Sequence, residues 1–215
     1  EYRKRLGEEL AKESMVNADI VVPVPDSGVP AALGYAQSSK IKFELGLIRN
    51  HYVGRTFIEP TQNIRSFGVK LKLSSTKSIL KNKSVILIDD SLVRGTTCHK
   101  IVKMLYEAGA KEVHVRIACP EIKYPDFYGV DMPTKKELLS SNKNTSEISD
   151  FLGAASCKFL SIDGLYRALL KEKRNSNYPQ FSDHYFTGDY PIKPSDNLQG
   201  LRIKQLSLLS GKSNN

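Results

Sequence analysis

The sequence has 215 residues, a formal net charge of +9 and 40% hydrophobic residues, which is enough for one sizeable buried core. No apolar run approaches the roughly 20 residues that a membrane-spanning helix needs, and the charged start, Glu1 to Arg5, is not followed by the apolar core of a secretory signal. We therefore expect a cytoplasmic protein with no membrane partner.

The first part of the chain predicts a helix followed by a strand–loop–helix unit. Apolar spacing predicts a helix over 3–16, and a buried strand follows over 20–25, where prolines mark its exit. The polar loop Pro25 to Gly28 then leads into a helix over 29–37.

A basic region separates these units from the centre of the chain. A short strand is predicted over 45–48, and the polar stretch 49–58 that follows has no regular period, which is typical of a mobile lid. The next stretch, 62–83, is rich in lysine and serine. Lysine and arginine thus cluster between Arg49 and Lys83, which favours phosphate chemistry over an extended basic stripe for binding nucleic acid.

The most informative stretch runs from residue 84 to residue 97. Val85 to Ile88 are four branched apolar residues, which suits a strand covered on both faces, as in a parallel sheet. Asp89 and Asp90 follow at the carboxyl end of this strand, then a small polar loop over 91–97, then a helix from Cys98. A loop at a helix amino terminus suits a phosphate, and paired carboxylates suit hydroxyl groups or hydrated Mg²⁺.

The remaining chain continues the alternation of strands and helices. A strand is predicted over 113–118. Thr134 with Glu137, and Asn144 with Glu147, have the spacing of capping boxes and predict two short surface helices.

The end of the chain loses its regular pattern. A last strand is predicted over 158–160 and a last helix after Ser161, whereas the segment beyond Lys171 is expected to be a tail or an edge extension. We expect one domain over 1–192, with an extension from about 172, and a partly disordered tail over 193–215. Alternating strands and helices indicate an α/β fold with a mostly parallel sheet flanked by helices.

The residues alone leave two interpretations of 85–97 open: a phosphate and ribose site, or a solvated strand exit followed by a helix cap. The whole string resembles the phosphoribosyl diphosphate (PRPP) motif of type I phosphoribosyltransferases. The resemblance implies their fold, with the acids beside the ribose hydroxyls and the loop around the 5-phosphate.

A narrower resemblance comes from segments 23–28, 47–58 and 89–97, which occur together in this order and resemble the amidophosphoribosyltransferases. Segments 127–133 and 186–191 extend the resemblance to roughly residues 1–192. It implies transfer of an amino group from glutamine-derived ammonia to C1 of PRPP, which yields 5-phosphoribosylamine and diphosphate in the first step of purine synthesis.

The resemblance also implies the roles of individual residues. Ser27, Asp89 and Asp90 are expected at Mg²⁺, and Arg55, Asp89 and Asp90 are expected to be catalytic. The lid over 49–58 is expected to close over PRPP. The expected PRPP contacts are Asp26, Ser27, Gly28, Tyr52, Arg55, Thr56, Asp89, Asp90, Ser91, Arg94, Gly95, Thr96 and Thr97.

Further expectations concern partners, departures from the family pattern and two histidines. The glutaminase domain of the family is absent from this sequence, so the chain is expected to be a fragment that uses free ammonia. No iron–sulfur cluster is expected, because Asp126 stands where one family branch has a cluster cysteine, and 178–185 contains no cysteine. Purine nucleotides are expected as inhibitors, and the protein as a homo-oligomer. His51 and His184 are expected to face solvent.

Two other functions fit parts of the sequence. A different type I phosphoribosyltransferase would transfer to a nucleobase, but no obvious base-binding hood is visible in the sequence. A non-catalytic regulator that senses PRPP and binds nucleic acid would use the charge of +9. We expect no nucleic-acid partner, because no helix-turn-helix pattern is visible and the basic residues cluster around the lid.

Overall fold

Parallel strands form the centre of the molecule in a computed structural model that describes residues 1–50, 73–129 and 134–192. The described strands are β1 (Ile20–Pro23), β2 (Lys42–Phe43), β3 (Leu47–Arg49), β4 (Leu73–Ser75), β5 (Ser84–Asp89), β6 (Glu112–Ile117) and β7 (Ser156–Phe159). The main sheet has the order β2-β1-β5-β6-β7 with every pair parallel, and β3 and β4 form a separate antiparallel pair. The predicted α/β fold with a mostly parallel sheet is confirmed.

Helices cover both faces of this sheet. The described helices are α1 (Tyr2–Ser14), α2 (Val29–Ser39), α3 (Lys77–Leu80), α4 (Thr96–Glu107), α5 (Leu139–Asn142), α6 (Thr145–Leu152), α7 (Ile162–Leu170) and α8 (His184–Thr187). One apolar cluster joins the sheet to α4 and α6, and a second joins it to α1 and α2. β5 contributes Val85 and Leu87 to the first cluster and Ile86 and Ile88 to the second, so alternation along one strand builds both halves of the core.

The helices α1 and α2 cross with their backbones in contact. A Cβ added at Gly34 would lie 1.9 Å from the carbonyl oxygen of Lys4, and one added at Gly7 would lie 1.8 Å from the carbonyl oxygen of Ala31. Only glycine fits at either position, because a methyl group would occupy space that the other helix already fills. The crossing therefore fixes the first turns of α1 relative to α2.

The carboxyl end of α1 is held by buried polar groups from the sheet and from α2. Arg116 is 3% exposed, and its Nε donates a hydrogen bond to the Ser14 carbonyl oxygen at 2.8 Å. Tyr35 Oη donates to the same oxygen at 3.1 Å. These contacts satisfy a carbonyl that the helix itself leaves without a partner.

Two local predictions differ from the structure. The strand predicted over 45–48 begins at Leu47, and the Leu45 side chain is 51% exposed. The capping box predicted at Thr134 does not form, because Thr134 Oγ1 donates to Glu137 Oε2 at 3.2 Å instead of capping the backbone, and the segment is a single 3₁₀ turn. The box at Asn144 is confirmed, with both reciprocal bonds to Glu147 present.

The segment after α7 is packed onto the domain rather than loose. Asp183 is 3% exposed and accepts hydrogen bonds from Tyr166 Oη at 2.8 Å and from Arg174 Nε at 2.6 Å. His184 is also 3% exposed, and its Nε2 lies 2.5 Å from Asp126 Oδ1. The expectation that His184 faces solvent is wrong, because its side chain is buried against Asp126. The sequence pattern could not show a pairing between residues 58 positions apart.

Some predictions fall outside the described residues. They are the tail over 193–215 and the lid from residue 51 onward, which includes His51. Among the residues that the structure does describe, no helix is long and apolar enough to cross a membrane.

A polar cluster lies between β6 and β7. His114 Nδ1 lies 2.9 Å from Ser156 Oγ, which also accepts a hydrogen bond from Arg116 Nη1 at 2.9 Å. Burial lowers the pKa of His114, and the nearby Arg116 guanidinium adds to this effect, whereas Glu112 opposes it. His114 is therefore held as the neutral imidazole at neutral pH.

The helix crossing leads to a stability prediction. Gly34→Ala should lower the free energy of unfolding by about 2–3 kcal/mol, because the added methyl group overlaps the Lys4 carbonyl. Urea denaturation followed by circular dichroism measures this loss. Leu33→Ala, at a neighbouring position that is 39% exposed, is the control and should cost less than about 1 kcal/mol. Equal losses in both variants would contradict the close crossing.

The state of His114 leads to a pH prediction. Its pKa in the folded protein lies below the unfolded value of about 6.5, so the unfolded chain binds the proton more readily. The stability that His114 contributes is complete above about pH 6.5 and is lost as the pH falls below it. Denaturation between pH 7.5 and pH 5 should show this loss, and His114→Gln should reduce it. Gln37→Ala, at an exposed position of α2 without a titratable group, is the control and should leave the pH dependence unchanged.

Candidate active site

The loops that follow β1, β5 and β6 meet at one edge of the sheet, because these strands are parallel neighbours. Ligands of open α/β sheets bind at this carboxyl edge. A cavity of about 220 Å³ lies between the loops and the first turns of α1 and α2. We call it the edge cavity; its lining residues are Arg3, Leu6, Ser27, Ala31, Asp90, Ser91, Ala118 and Cys119.

The loop after β1 is attached directly to β5. Val24 N donates to the Ile88 carbonyl oxygen at 2.8 Å, and Gly28 N donates to the Val24 carbonyl oxygen at 2.9 Å. A Cβ added at Gly28 would lie 2.6 Å from the Ile88 oxygen, so glycine is required for this close approach. The attachment brings Ser27 into the edge cavity beside Asp90.

Asp26, in the same loop, pairs with the end of β3. Arg49 Nη1 lies 2.5 Å from Asp26 Oδ2, and both side chains are partly exposed. Arg49 is also the first residue of the predicted lid, so the pair connects the start of that segment with the loop at Ser27.

The two acidic residues at the end of β5 have different environments. Asp89 Oδ1 accepts a hydrogen bond from the Asp90 backbone N–H at 2.9 Å, whereas Asp90 lines the edge cavity and its Oδ1 accepts from Ser91 Oγ at 3.4 Å. Burial raises the pKa of Asp89 well above its usual value, and the adjacent charge of Asp90 raises it further. Two carboxylates so close together favour a nearby cation or a hydrogen-bond donor.

The loop from Ser91 to Gly95 turns directly into α4. Gly95 has a φ of +74° at the amino end of the helix, a conformation that favours glycine, and a Cβ there would have to displace the Leu139 side chain, whose Cδ2 would lie 2.6 Å away. Arg94 Nε donates to Glu137 Oε1 at 3.2 Å, which holds this side chain against the 3₁₀ turn. The N–H groups of the first turn of α4 thus lie beside the loop, as a phosphate-binding arrangement requires.

The structure brings together part of the predicted site. Ser27, Asp90 and Ser91 share the edge cavity, while Asp26, Gly28 and Asp89 are their direct chain neighbours. The rest of the phosphate loop continues from Ser91 along the same edge but does not line the cavity: Arg94, Gly95, Thr96 and Thr97. Tyr52, Arg55 and Thr56 lie outside the described residues.

Sequence reasoning missed the two other lining residues of the edge cavity that carry an ionisable side chain, Arg3 and Cys119. Cys119 could have been found, because it follows β6 at the same edge as Asp90 follows β5. Arg3 carried no such signal, since it reaches the cavity through the long-range crossing of α1 with α2. Cys119 is partly buried, and this burial together with the nearby charge of Asp90 raises the pKa of its thiol to about 12.

The residues present fit a magnesium ion that arrives with a phosphate ligand. Mg²⁺ keeps several waters and takes one or two carboxylates together with substrate phosphates. Asp89, Asp90 and the hydroxyl of Ser27 supply such oxygen donors. Across the described ranges no group of three or more His, Cys, Asp or Glu side chains could hold a metal by itself, so these residues suit a shared ion rather than a closed protein cage.

A second and larger cavity, of about 320 Å³, lies at the carboxyl ends of β6 and β7. It contains none of the predicted site residues. Its walls are Glu121, Lys123, Thr145, Lys158, Phe159, Leu160, Ser161, Ile162 and Phe186. The predicted site residues Ser27, Asp90 and Ser91 line the smaller edge cavity instead.

Comparison with known proteins agrees with this geometry. Residues 3–139 match the family model described as the phosphoribosyl transferase domain. The amidophosphoribosyltransferase of Rhizobium etli is 58% identical over 97% of this chain and 42% of its own length. The chloroplastic amidophosphoribosyltransferase 1 of Arabidopsis thaliana is 55% identical over 91% of this chain and 34% of its own length.

A solved structure is also similar. The glutamine PRPP amidotransferase of B. subtilis, complexed with ADP and GMP, matches 91% of this chain with a TM-score of 0.80 and 48% sequence identity, and 43% of that chain is covered. The chain thus spans between about a third and two-fifths of the length of these relatives. The family model covers the loops of the edge cavity and most of the sheet, and the chain belongs to the phosphoribosyl transferase domain family.

Proposed function

We propose that this chain is the phosphoribosyltransferase part of an amidophosphoribosyltransferase, which transfers an amino group to C1 of PRPP and releases diphosphate. The observation that carries the proposal is the edge cavity, where Ser27 and Asp90 from two separate loops lie together at the carboxyl edge of the sheet. The similarity to amidophosphoribosyltransferases over nearly the whole chain supports this acceptor rather than a nucleobase.

The proposed binding mode follows the order of the loops. The loop 91–97 and the start of α4 anchor the 5-phosphate, Asp89 and Asp90 accept hydrogen bonds from the ribose hydroxyls, and Asp26 to Gly28 lie at the diphosphate. As the bond to diphosphate breaks, C1 gains oxocarbenium character while negative charge builds on the leaving group. The work of the protein is then to position the reactants and to stabilise charge.

Mg²⁺ is part of the proposal, with Ser27, Asp89 and Asp90 as the residues that would hold it. When bound, it neutralises charge on the diphosphate leaving group. Arg55, which the sequence assigns to the lid, is proposed to add a fixed positive charge there, and closure of the lid over 49–58 is proposed to exclude water as a competing nucleophile.

The nitrogen source and regulation are further parts of the proposal. In the complete protein the ammonia would come from glutamine in a domain outside this sequence, so the chain alone would use free ammonia. Because the similar B. subtilis structure is a complex with ADP and GMP, we propose purine nucleotides as inhibitors. We also propose a homo-oligomer in the cytoplasm; the similar Arabidopsis protein is named as chloroplastic, so location can differ between relatives.

An assay of diphosphate release tests the proposed function directly. The chain is incubated with Mg²⁺ and PRPP, with ammonium or with each of a panel of nucleobases, and diphosphate is measured by a coupled assay. We expect release that depends on ammonium and not on any base. Release only with a base, or no release above the hydrolysis background, would overturn the proposal.

The acidic pair leads to a variant prediction. Asp90→Asn should keep the fold, because Asp90 is partly exposed and its contact with Ser91 Oγ is long, at 3.4 Å. It should lower kcat/KM for PRPP in the presence of Mg²⁺ by roughly tenfold to hundredfold, since the negative charge that strengthens hydrogen bonds from the ribose hydroxyls and attracts Mg²⁺ is lost.

The matched control for this variant is Asp150→Asn, an exposed residue of α6 that removes the same charge. It should leave kcat/KM within about twofold of the parent chain. An Asp90→Asn chain with full activity would show that the role assigned to the acidic pair is wrong.

A further inference from the structure

Arg3 differs from the other arginines described near the carboxyl edge of the sheet. Arg49 is paired with Asp26 at 2.5 Å, and Arg94 is paired with Glu137 at 3.2 Å. Within the part of the chain that the structure describes, no hydrogen bond or ion pair joins the Arg3 side chain to another residue, although Arg3 lines the edge cavity. Its guanidinium is available to an anion from outside the protein.

The position of Arg3 is fixed by the packing of α1. The next residue, Lys4, has its carbonyl oxygen against Gly34, where the two helices touch backbone to backbone. Leu6, one turn further, packs against the apolar cluster and lines the same cavity. The packing therefore places the backbone that carries Arg3 at the cavity that Ser27 also lines.

The composition of the cavity indicates what the anion is. Among its described lining residues Arg3 is the only cation, and it shares the cavity with the hydroxyls of Ser27 and Ser91 and the carboxylate of Asp90. The guanidinium fork matches phosphate oxygens in a bidentate manner. A phosphate group balances Arg3 and accepts hydrogen bonds from both hydroxyls.

The position of the edge cavity among the loops indicates which phosphate group of PRPP would lie in it. Ser27 lies in the loop proposed for diphosphate, and the walls next to it are Leu6 and Ala31 of α1 and α2. The loop proposed for the 5-phosphate contributes only its first residue, Ser91, to the cavity, and its remaining residues lie away towards α4. The edge cavity thus opens on the diphosphate side of the acidic pair.

We propose that Arg3 is a substrate-binding residue that contacts the diphosphate group of PRPP and stabilises its charge as it leaves. This inference rests on the proposed function, because the ligand is the substrate named there. It adds a cation supplied by α1, the element at the start of the chain, to those expected from the lid.

Isothermal titration of the whole 215-residue chain tests the proposal, with Mg²⁺-diphosphate and ribose 5-phosphate as separate probes. Arg3→Gln should weaken binding of Mg²⁺-diphosphate about tenfold or more and leave binding of ribose 5-phosphate within about twofold. Arg3→Lys should retain part of the affinity, because it keeps the charge but not the planar fork.

Arg5→Gln is the matched control, since it removes one positive charge from the same helix but does not line the cavity. It should change neither affinity by more than about twofold. Circular dichroism confirms that each variant is folded. Equal losses in Arg3→Gln and Arg5→Gln, a loss confined to ribose 5-phosphate, or a parent chain that does not bind diphosphate would each overturn the proposal.

Failure of this inference and failure of the proposed function give different results. If diphosphate binding depends on Arg3 but ammonium causes no diphosphate release from PRPP, the role of Arg3 stands and the proposed reaction is wrong. If ammonium-dependent release occurs and Arg3→Gln leaves the KM for PRPP unchanged, the reaction stands and the role of Arg3 is wrong.

Discussion

The parallel pairing of β5 with β1 on one side and β6 on the other is the constraint on which the rest of the structure depends. It makes β5 buried on both faces, so its side chains alternate between two apolar clusters. It also brings three loops to one edge, where Gly28 lies against the Ile88 carbonyl and Ser27 comes beside Asp90. The polar chemistry is therefore positioned by apolar packing and by backbone hydrogen bonds.

Elements from both ends of the chain pack around this edge of the sheet. The close crossing of α1 with α2 carries Arg3 to the cavity, and the hydrogen bonds of Arg116 and Tyr35 to Ser14 hold the far end of α1. The segment after α7 is fixed by buried pairs such as His184 with Asp126. Residues far apart in sequence thus fix the elements around this edge.

The sequence predicted most of the sheet and the local part of the site for physical reasons. Val85 to Ile88 could be identified as a buried strand because four branched apolar residues fit few other structures, and the position of Asp90 then followed from the strand direction. Arg3 and His184 could not be placed, because their environments depend on contacts with residues over 20 and over 50 positions away, namely α2 and Asp126. The capping box predicted at Thr134 does not form, because the Thr134 hydroxyl donates to the Glu137 side chain and caps no backbone N–H group.

The central claim is that the loops after β1 and β5 form one site for a ribose phosphate ligand. Hydrogen–deuterium exchange with and without Mg²⁺ and PRPP measures this along the whole chain. The account predicts slower exchange in both 25–28 and 89–97, with no change around Lys158 and Ser161 in the second cavity. Protection confined to the second cavity, or to only one of the two loops, would contradict it.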